Sequence, residues 1–263
     1  MAAAAPTDIP PPPSPLLALT ELPRALAEFG SLPIAAPLLA TAPRGDGHPV
    51  LVLPGFTTTD ASTTVLRRYL RRLGYDAYRW DLGRNLGPKA IGREGEKLLA
   101  RLEAIYAEAG RKVSLVGWSL GGVMARIAAR QAPEKVRQVI SPGSPFTGSP
   151  RSTNVWRAYE LFTGQLVDDK QTRAQLAEGA TPPPVPATAI WSREDGIVAW
   201  QNCIEPLGAF SDNIEVHGSH CGLGVNPAVL YAIADRLALP EDGWRPFRRG
   251  GLRALFYPSA GHA

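Results

Sequence analysis

Gly117-Trp118-Ser119-Leu120-Gly121 constrains this chain more than any other stretch. It is a G-x-S-x-G placed directly after the apolar run 112–116 and directly before a helical pattern over 120–131. A serine at the tip of so tight a strand-to-helix turn needs glycines two residues to either side, where a side chain would strike the neighbouring backbone. Its hydroxyl then stands clear of the strand ends, and the next amide faces the same space. Gly122 extends the pattern. The alternative is an ordinary Gly-rich turn, but the strand before and the helix after favour a presented nucleophile.

A serine hydroxyl ionises far above neutrality and needs a base, with an acid to orient that base. Residues 186–192 read as a buried strand, followed by the loop Arg193-Glu194-Asp195-Gly196-Ile197-Val198. Residues 213–216 read as a last short strand, followed by His217-Gly218-Ser219-His220-Cys221-Gly222 and a helix over 227–237. Asp195 is the expected acid and His220 the expected base. Glu194 is the rival acid, but Gly196 suits a sharp turn that aims the shorter carboxylate. His217 stands where the strand ends, whereas His220 lies on the loop, where reactive groups are usually presented. Of the other histidines, His48 precedes the first strand and His262 lies in the tail.

Leu51-Val52-Leu53-Pro54-Gly55-Phe56, Trp118-Ser119-Leu120-Gly121-Gly122, Asp195-Gly196-Ile197-Val198 and His217-Gly218-Ser219-His220 together resemble the α/β-hydrolase superfamily, and within it lipase- and esterase-like members. The resemblance covers roughly residues 48–239 and matches the chain order serine, acid, histidine. It implies a cofactor-free serine carboxylester hydrolase without a metal, acting on apolar acyl esters through an acyl-enzyme. It also implies an oxyanion hole made by the amide of Leu120 and one from the loop after the first strand. Phe56 is the expected second donor, with Gly55 and Thr57 as alternatives, because Pro-Gly-Phe stands where many members carry His-Gly-Gly-Gly. An acyltransferase sharing the acyl-enzyme, or a non-catalytic binding protein on the same fold, are the competing readings.

At 263 residues, 44% hydrophobic and 20% charged, the chain suits one α/β domain. Strands are expected over 50–53, 77–80, 113–117, 136–141, 188–192 and 213–216, and helices over 62–73, 92–109, 120–131 and 200–207. Strands alternating with helices mark a fold of the α/β class with a mostly parallel sheet of about six strands. The antiparallel strands that often open this fold are not visible. Residues 1–15 read as a disordered Pro/Ala-rich leader. Over 16–39 one or two short helices are expected, interrupted by Pro23, Pro33 and Pro37, so that 16–239 forms the domain. No apolar run approaches the length of about 20 residues that spans a bilayer. The formal charge of +4 is spread along the chain, which gives no case for nucleic acid. The start has no basic stretch of the secretory kind, so a cytoplasmic location is expected, with an exported or membrane-peripheral form left open.

Residues 146–186 are too many for a simple connection. By the resemblance they form a small cap over the serine, with Trp156, Tyr159 and Phe162 spaced three apart on one helical face; the alternative is a surface excursion. Trp118 and Phe146 join these three as expected substrate contacts, Phe146 on a loop that resembles the acyl-pocket loop of lipases. Cys203 and Cys221 are the only cysteines. A disulfide between them would tether the acid loop to the base loop; two free thiols, or a metal borrowing His217 or His220, are the alternatives. The tail 240–263 interleaves arginines with aromatics and is expected to pack on the domain, with docking on an anionic membrane as the other option.

Overall fold

The computed structural model describes residues 10–258, so residues 1–9 of the expected leader and His262 lie outside it. Six strands, β1 (Pro49–Leu53), β2 (Asp76–Arg79), β3 (Val113–Gly117), β4 (Val136–Pro142), β5 (Ala187–Trp191) and β6 (Ser211–Glu215), form one sheet in the order β2-β1-β3-β4-β5-β6. Every pairing is parallel. Strands β1, β3, β4 and β5 are buried along their whole length, and β1 accordingly reads as an unbroken apolar run, while β3, β4 and β5 bury polar residues such as Ser114, Gln138 and Thr188 among their apolar ones.

Alternation appears instead in which core each strand residue joins. Val50 and Val52 of β1 pack with α3 (Thr64–Leu73) and α9 (Pro227–Leu237), while Leu51 and Leu53 share a core with the short α4 (Pro88–Ile91), α5 (Glu96–Ala109) and α6 (Leu120–Gln131). Helices therefore cover both faces, as a parallel sheet requires. The chain leaves β1 toward β2 on one side and returns to β3 on the other, with Leu53 paired to Gly117. That reversal opens a crevice beyond the carboxyl ends of β1 and β3, the usual place for a ligand in such sheets.

The N-terminal segment departs from expectation. After a short α1 (Pro15–Leu19), one helix α2 (Glu21–Leu39) runs for 19 residues straight through Pro33 and Pro37. Each internal proline removes a helical hydrogen bond and costs about 3 kcal/mol. Packing of Leu32, Ala35 and Leu39 on the core that includes α9, together with the anchoring of Glu21 and Glu28 described below, offsets this. Over 200–207 the expected helix shrinks to a single tight turn, Trp200–Cys203, because Pro206 pushes Glu205 out of helical geometry.

Between β4 and β5 the chain forms α7 (Trp156–Thr163) and α8 (Lys170–Ala180), of which α8 lies on α6. The tail is held to the body: Phe247 and Tyr257 are buried with their rings 4.6 Å apart, and the Phe247 amide donates to Asp212 Oδ2 at 2.6 Å. Among the described residues no helix is long and apolar enough to cross a membrane.

A fully buried ion pair fastens the elbow helix to the loop before β6. The Arg126 guanidinium meets both oxygens of Glu205 and donates to Gly179 O at 2.7 Å. Burial pushes the Glu205 carboxyl up and the Arg126 guanidinium down, so each depends on the other's charge. Glu205→Ala is therefore expected to destabilise the fold by about 3–5 kcal/mol in urea unfolding, as for a buried charge left unpaired. A loss below about 1 kcal/mol would show that the pair contributes little.

Candidate active site

Ser119 sits between β3 and α6 with φ 56° and ψ −125°, a backbone conformation that costs an L-residue about 1–3 kcal/mol. Its surroundings impose it. The Ser119 amide donates to Pro142 O at 2.9 Å and the Trp118 amide to Leu53 O at 3.1 Å. A Cβ on Gly117 would lie 2.3 Å from Gly121 O, and one on Gly121 would lie 2.6 Å from Pro54 O. The glycines on either side of the serine are thus required by the closeness of the backbone, as the sequence pattern implies.

The structure brings the three expected residues together. Ser119 Oγ is 3.0 Å from His220 Nε2, and His220 Nδ1 is 2.6 Å from Asp195 Oδ2. A carboxylate only accepts, so Nδ1 carries the ring proton and Nε2 is left to accept from the hydroxyl. The other Asp195 oxygen, Oδ1, accepts from the amides of Ile197 at 2.8 Å and Val198 at 2.7 Å, which fixes the side chain. The rivals pair with each other elsewhere: Glu194 Oε1 and His217 Nδ1 are 2.8 Å apart in an exposed pair, whereas the His220–Asp195 side chains are only 6% and 2% exposed. Burial works against a charged His220, but the charge and hydrogen bond of Asp195, with the charge of Glu21, outweigh it and raise the imidazole above its ordinary value.

The amide of Thr57 is engaged with Asn85 O at 2.7 Å and so is unavailable as an oxyanion donor. Among the described residues the amides of Gly55, Phe56 and Leu120 donate to no protein group. Phe56 and Leu120 line the same cleft as Ser119, while Gly55 is packed under the Trp118 ring. The cleft measures about 690 Å³ counted to its open mouth and is walled mainly by apolar groups, among them Val123, Val155, Trp156, Tyr159 and Val198.

Three expected substrate contacts are placed otherwise. Phe146 is buried against Val123 and Ala189, and the Arg126 guanidinium lies 3.8 Å from its ring centre; its neighbours Pro145 and Thr147 face the cleft instead. Trp118 turns its indole N–H to His220 O at 3.1 Å and supports the base loop from the side. Phe162 is half exposed and stacks edge-on with Phe56, 6.3 Å away, outside the lining. The tether between Cys203 and Cys221 is not formed: both are free thiols in different surroundings, Cys203 with Trp191 and Val198, Cys221 with its amide on Glu21 Oε2 at 2.8 Å. Among the described residues no cluster of three or more His, Cys, Asp or Glu could hold a metal ion.

A second serine–histidine–aspartate set lies at the opposite end of the sheet. His48 Nε2 is 2.8 Å from Ser114 Oγ and Nδ1 is 2.5 Å from Asp46 Oδ1. His48 and Ser114 are wholly buried and reach no cleft, so this set has the hydrogen bonds of a triad without access for a substrate. Burial and the nearby Arg137 and Arg111 lower its imidazole in spite of Asp46.

Sequence reasoning did not single out Glu21 and Glu28, which reach from α2 into the acid and base loops. Two acids spaced seven apart on a mainly apolar helix were the available signal, since that spacing puts both on one face.

A family model described as alpha/beta hydrolase matches residues 89–177. Triacylglycerol lipases of Pseudarthrobacter phenanthrenivorans and Burkholderia plantarii are each 31% identical to the chain over 109 residues, 39% of its length. The match covers 34% and 30% of those proteins, so the chain spans about a third of the length of the curated relatives it matches. Among solved structures, Aspergillus fumigatus lipase B superposes with a TM-score of 0.55 at 20% identity over 76% of this chain and 54% of that one. A Paleococcus ferrophilus monoacylglycerol lipase gives 0.53 at 15% identity over 73% and 96%. The chain has the α/β-hydrolase fold and is similar to lipases and esterases of that fold.

The two buried imidazoles should titrate in opposite directions. NMR of the ring protons is expected to place His220 above the ordinary value near 6.5 and His48 below it. The reverse order would mean that Asp195 and Glu21 do not outweigh burial at His220, or that burial does not prevail at His48.

Proposed function

We propose that the chain is a serine carboxylester hydrolase acting on apolar acyl esters. The observation that carries this reading is the hydrogen-bonded run Ser119, His220, Asp195 opening into an apolar cleft beside two unengaged amides. Ser119 Oγ attacks the ester carbonyl while His220 Nε2 takes its proton, and the amides of Phe56 and Leu120 hold the negative oxygen that forms. His220 then gives that proton to the departing alcohol, leaving the acyl group on Ser119. A water molecule, deprotonated by the same imidazole, attacks the acyl carbonyl; the bond to Ser119 Oγ breaks, the imidazolium returns its proton to that oxygen, and the acid is released. Asp195 stays ionised throughout and supports the imidazolium. The curated relatives are named triacylglycerol lipases, which supports an ester of a fatty acid as the substrate class.

The acyl chain would run along Val123, Val155, Trp156 and Tyr159. Each buried CH₂ contributes up to about 0.8 kcal/mol, nearly fourfold in binding. Turnover of p-nitrophenyl esters should therefore improve with chain length until the cleft is filled, and Trp156→Ala should harm long esters more than acetate. An equal loss at every length would remove the acyl-binding role of this wall.

Ser119→Ala and His220→Ala should each lower kcat by several orders of magnitude, and His217→Ala should change it little. Because the base must be neutral and His220 is raised, activity should rise with pH through a group above about 6.5. Substantial turnover by Ser119→Ala would overturn the reading.

A further inference from the structure

We infer that Glu21, on the N-terminal helix α2, is a positioning residue that holds the acid loop and the base loop in register. The inference rests on the proposed roles of Asp195 and His220. Glu21 is buried, and both of its oxygens are spent on those two loops. Oε1 accepts from the amide of Gly196 at 2.7 Å and from the amide of His220 at 3.1 Å; Oε2 accepts from the amide of Cys221 at 2.8 Å. One carboxylate therefore touches the residue after the acid, the base itself and the residue after the base. Segments some two hundred residues away in sequence are joined through a single side chain.

Neighbouring contacts fit the same role. Arg24 Nη2 donates to Glu21 Oε1 at 2.9 Å, and Nη1 donates to Glu194 O at 2.8 Å, next to the acid. About two turns further along the same face, Glu28 Oε1 accepts from the amide and the hydroxyl of Ser219, each at 2.7 Å, and Oε2 accepts from Asn226 Nδ2 at 2.9 Å. The fit is close: a Cβ on Gly196 would lie 2.5 Å from the backbone of Leu17, and one on Gly222 would lie 2.3 Å from Glu28 Oε2.

The chemistry requires a carboxylate. All four groups facing Glu21 are donors, and only an acceptor with two oxygens satisfies them; a glutamine would turn an NH₂ toward an N–H. The buried charge also lies beside the imidazole that becomes cationic when it takes the serine proton. The charged and titratable groups around His220 are Asp195 from the loop after β5, Glu21 with Arg24 and Glu28 from α2, Ser119 from the elbow, and the adjacent Cys221. Burial and Glu21 push the Cys221 thiol up to about 12, so it stays uncharged and the carboxylates set the field.

The test compares Glu21→Gln and Glu21→Asp with the wild type, using ester kinetics from about pH 5 to 9 and the NMR titration of His220. Glu21→Gln should lower kcat by about 10- to 100-fold, because small misplacements at a reacting centre cost that much, with KM nearly unchanged. Glu21 supports the protonated imidazole, so its neutralisation should move both the rising limb and the His220 titration to lower pH by about half a unit or more. Glu21→Asp keeps the charge and withdraws the oxygens, so kcat should fall while the limb stays near its wild-type position. A folded Glu21→Gln protein with wild-type kcat and an unmoved His220 titration would overturn the inference. Loss of the fold in both variants would also overturn it, since Glu21 would then hold the fold and not the site. A wild-type protein without esterase activity would instead sink the proposed function, and the His220 titration would still decide the role of Glu21.

Discussion

The turn at Ser119 is the constraint on which the rest of the site depends. Its φ of 56° is tolerated because Gly117 and Gly121 lack a Cβ, which would lie within 3 Å of a neighbouring carbonyl oxygen at either position. That turn fixes where the hydroxyl points, and the carboxyl ends of β4, β5 and β6 then deliver the partners. Pro142 at the end of β4 receives the Ser119 amide, and the loop after β5 supplies Asp195. The loop after β6 supplies His220. Because all six strands run the same way, these groups meet on one edge of the sheet without any long detour.

Hydrogen-bond geometry alone does not mark a reactive site in this protein. Ser114, His48 and Asp46 repeat the contacts of Ser119, His220 and Asp195 at similar distances. What separates the two sets is access and field. Ser119 opens on an apolar cleft with unengaged amides, whereas Ser114 is sealed among packed side chains. At His220 the neighbouring carboxylates outweigh burial, and at His48 burial and two arginines outweigh the carboxylate. The first balance favours an imidazole that can hold a proton; the second favours one that stays neutral and structural.

Much of this was legible in the sequence, for identifiable reasons. The buried parallel strands read as mostly apolar segments of strand length, and the elbow read as such because both its flanks matched. The order of Ser119, Asp195 and His220 followed from which strand each loop succeeds. Side-chain destinations were less legible. Phe146 was expected in the cleft, but Arg126 holds its ring within the core, a contact that depends on α6 crossing beneath it. Pro33 and Pro37 read as breaks, yet α2 persists because tertiary contacts along the helix outweigh the missing hydrogen bonds. Glu21 and Glu28 show in the sequence only as two acids on one helical face; their partners lie far away in sequence and are mostly backbone amides, which leave no residue signature.

The central claim is that Ser119, and not its buried counterpart, is the nucleophile. It is tested most directly by treating the native protein with a fluorophosphonate and locating the adduct by mass spectrometry. Residues 113–126 carry both Ser114 and Ser119, so fragment ions must assign the site. A single phosphonyl group on Ser119, absent from His220→Ala protein, is the expected result. An adduct on any other serine, or an unmodified native protein, would contradict the account.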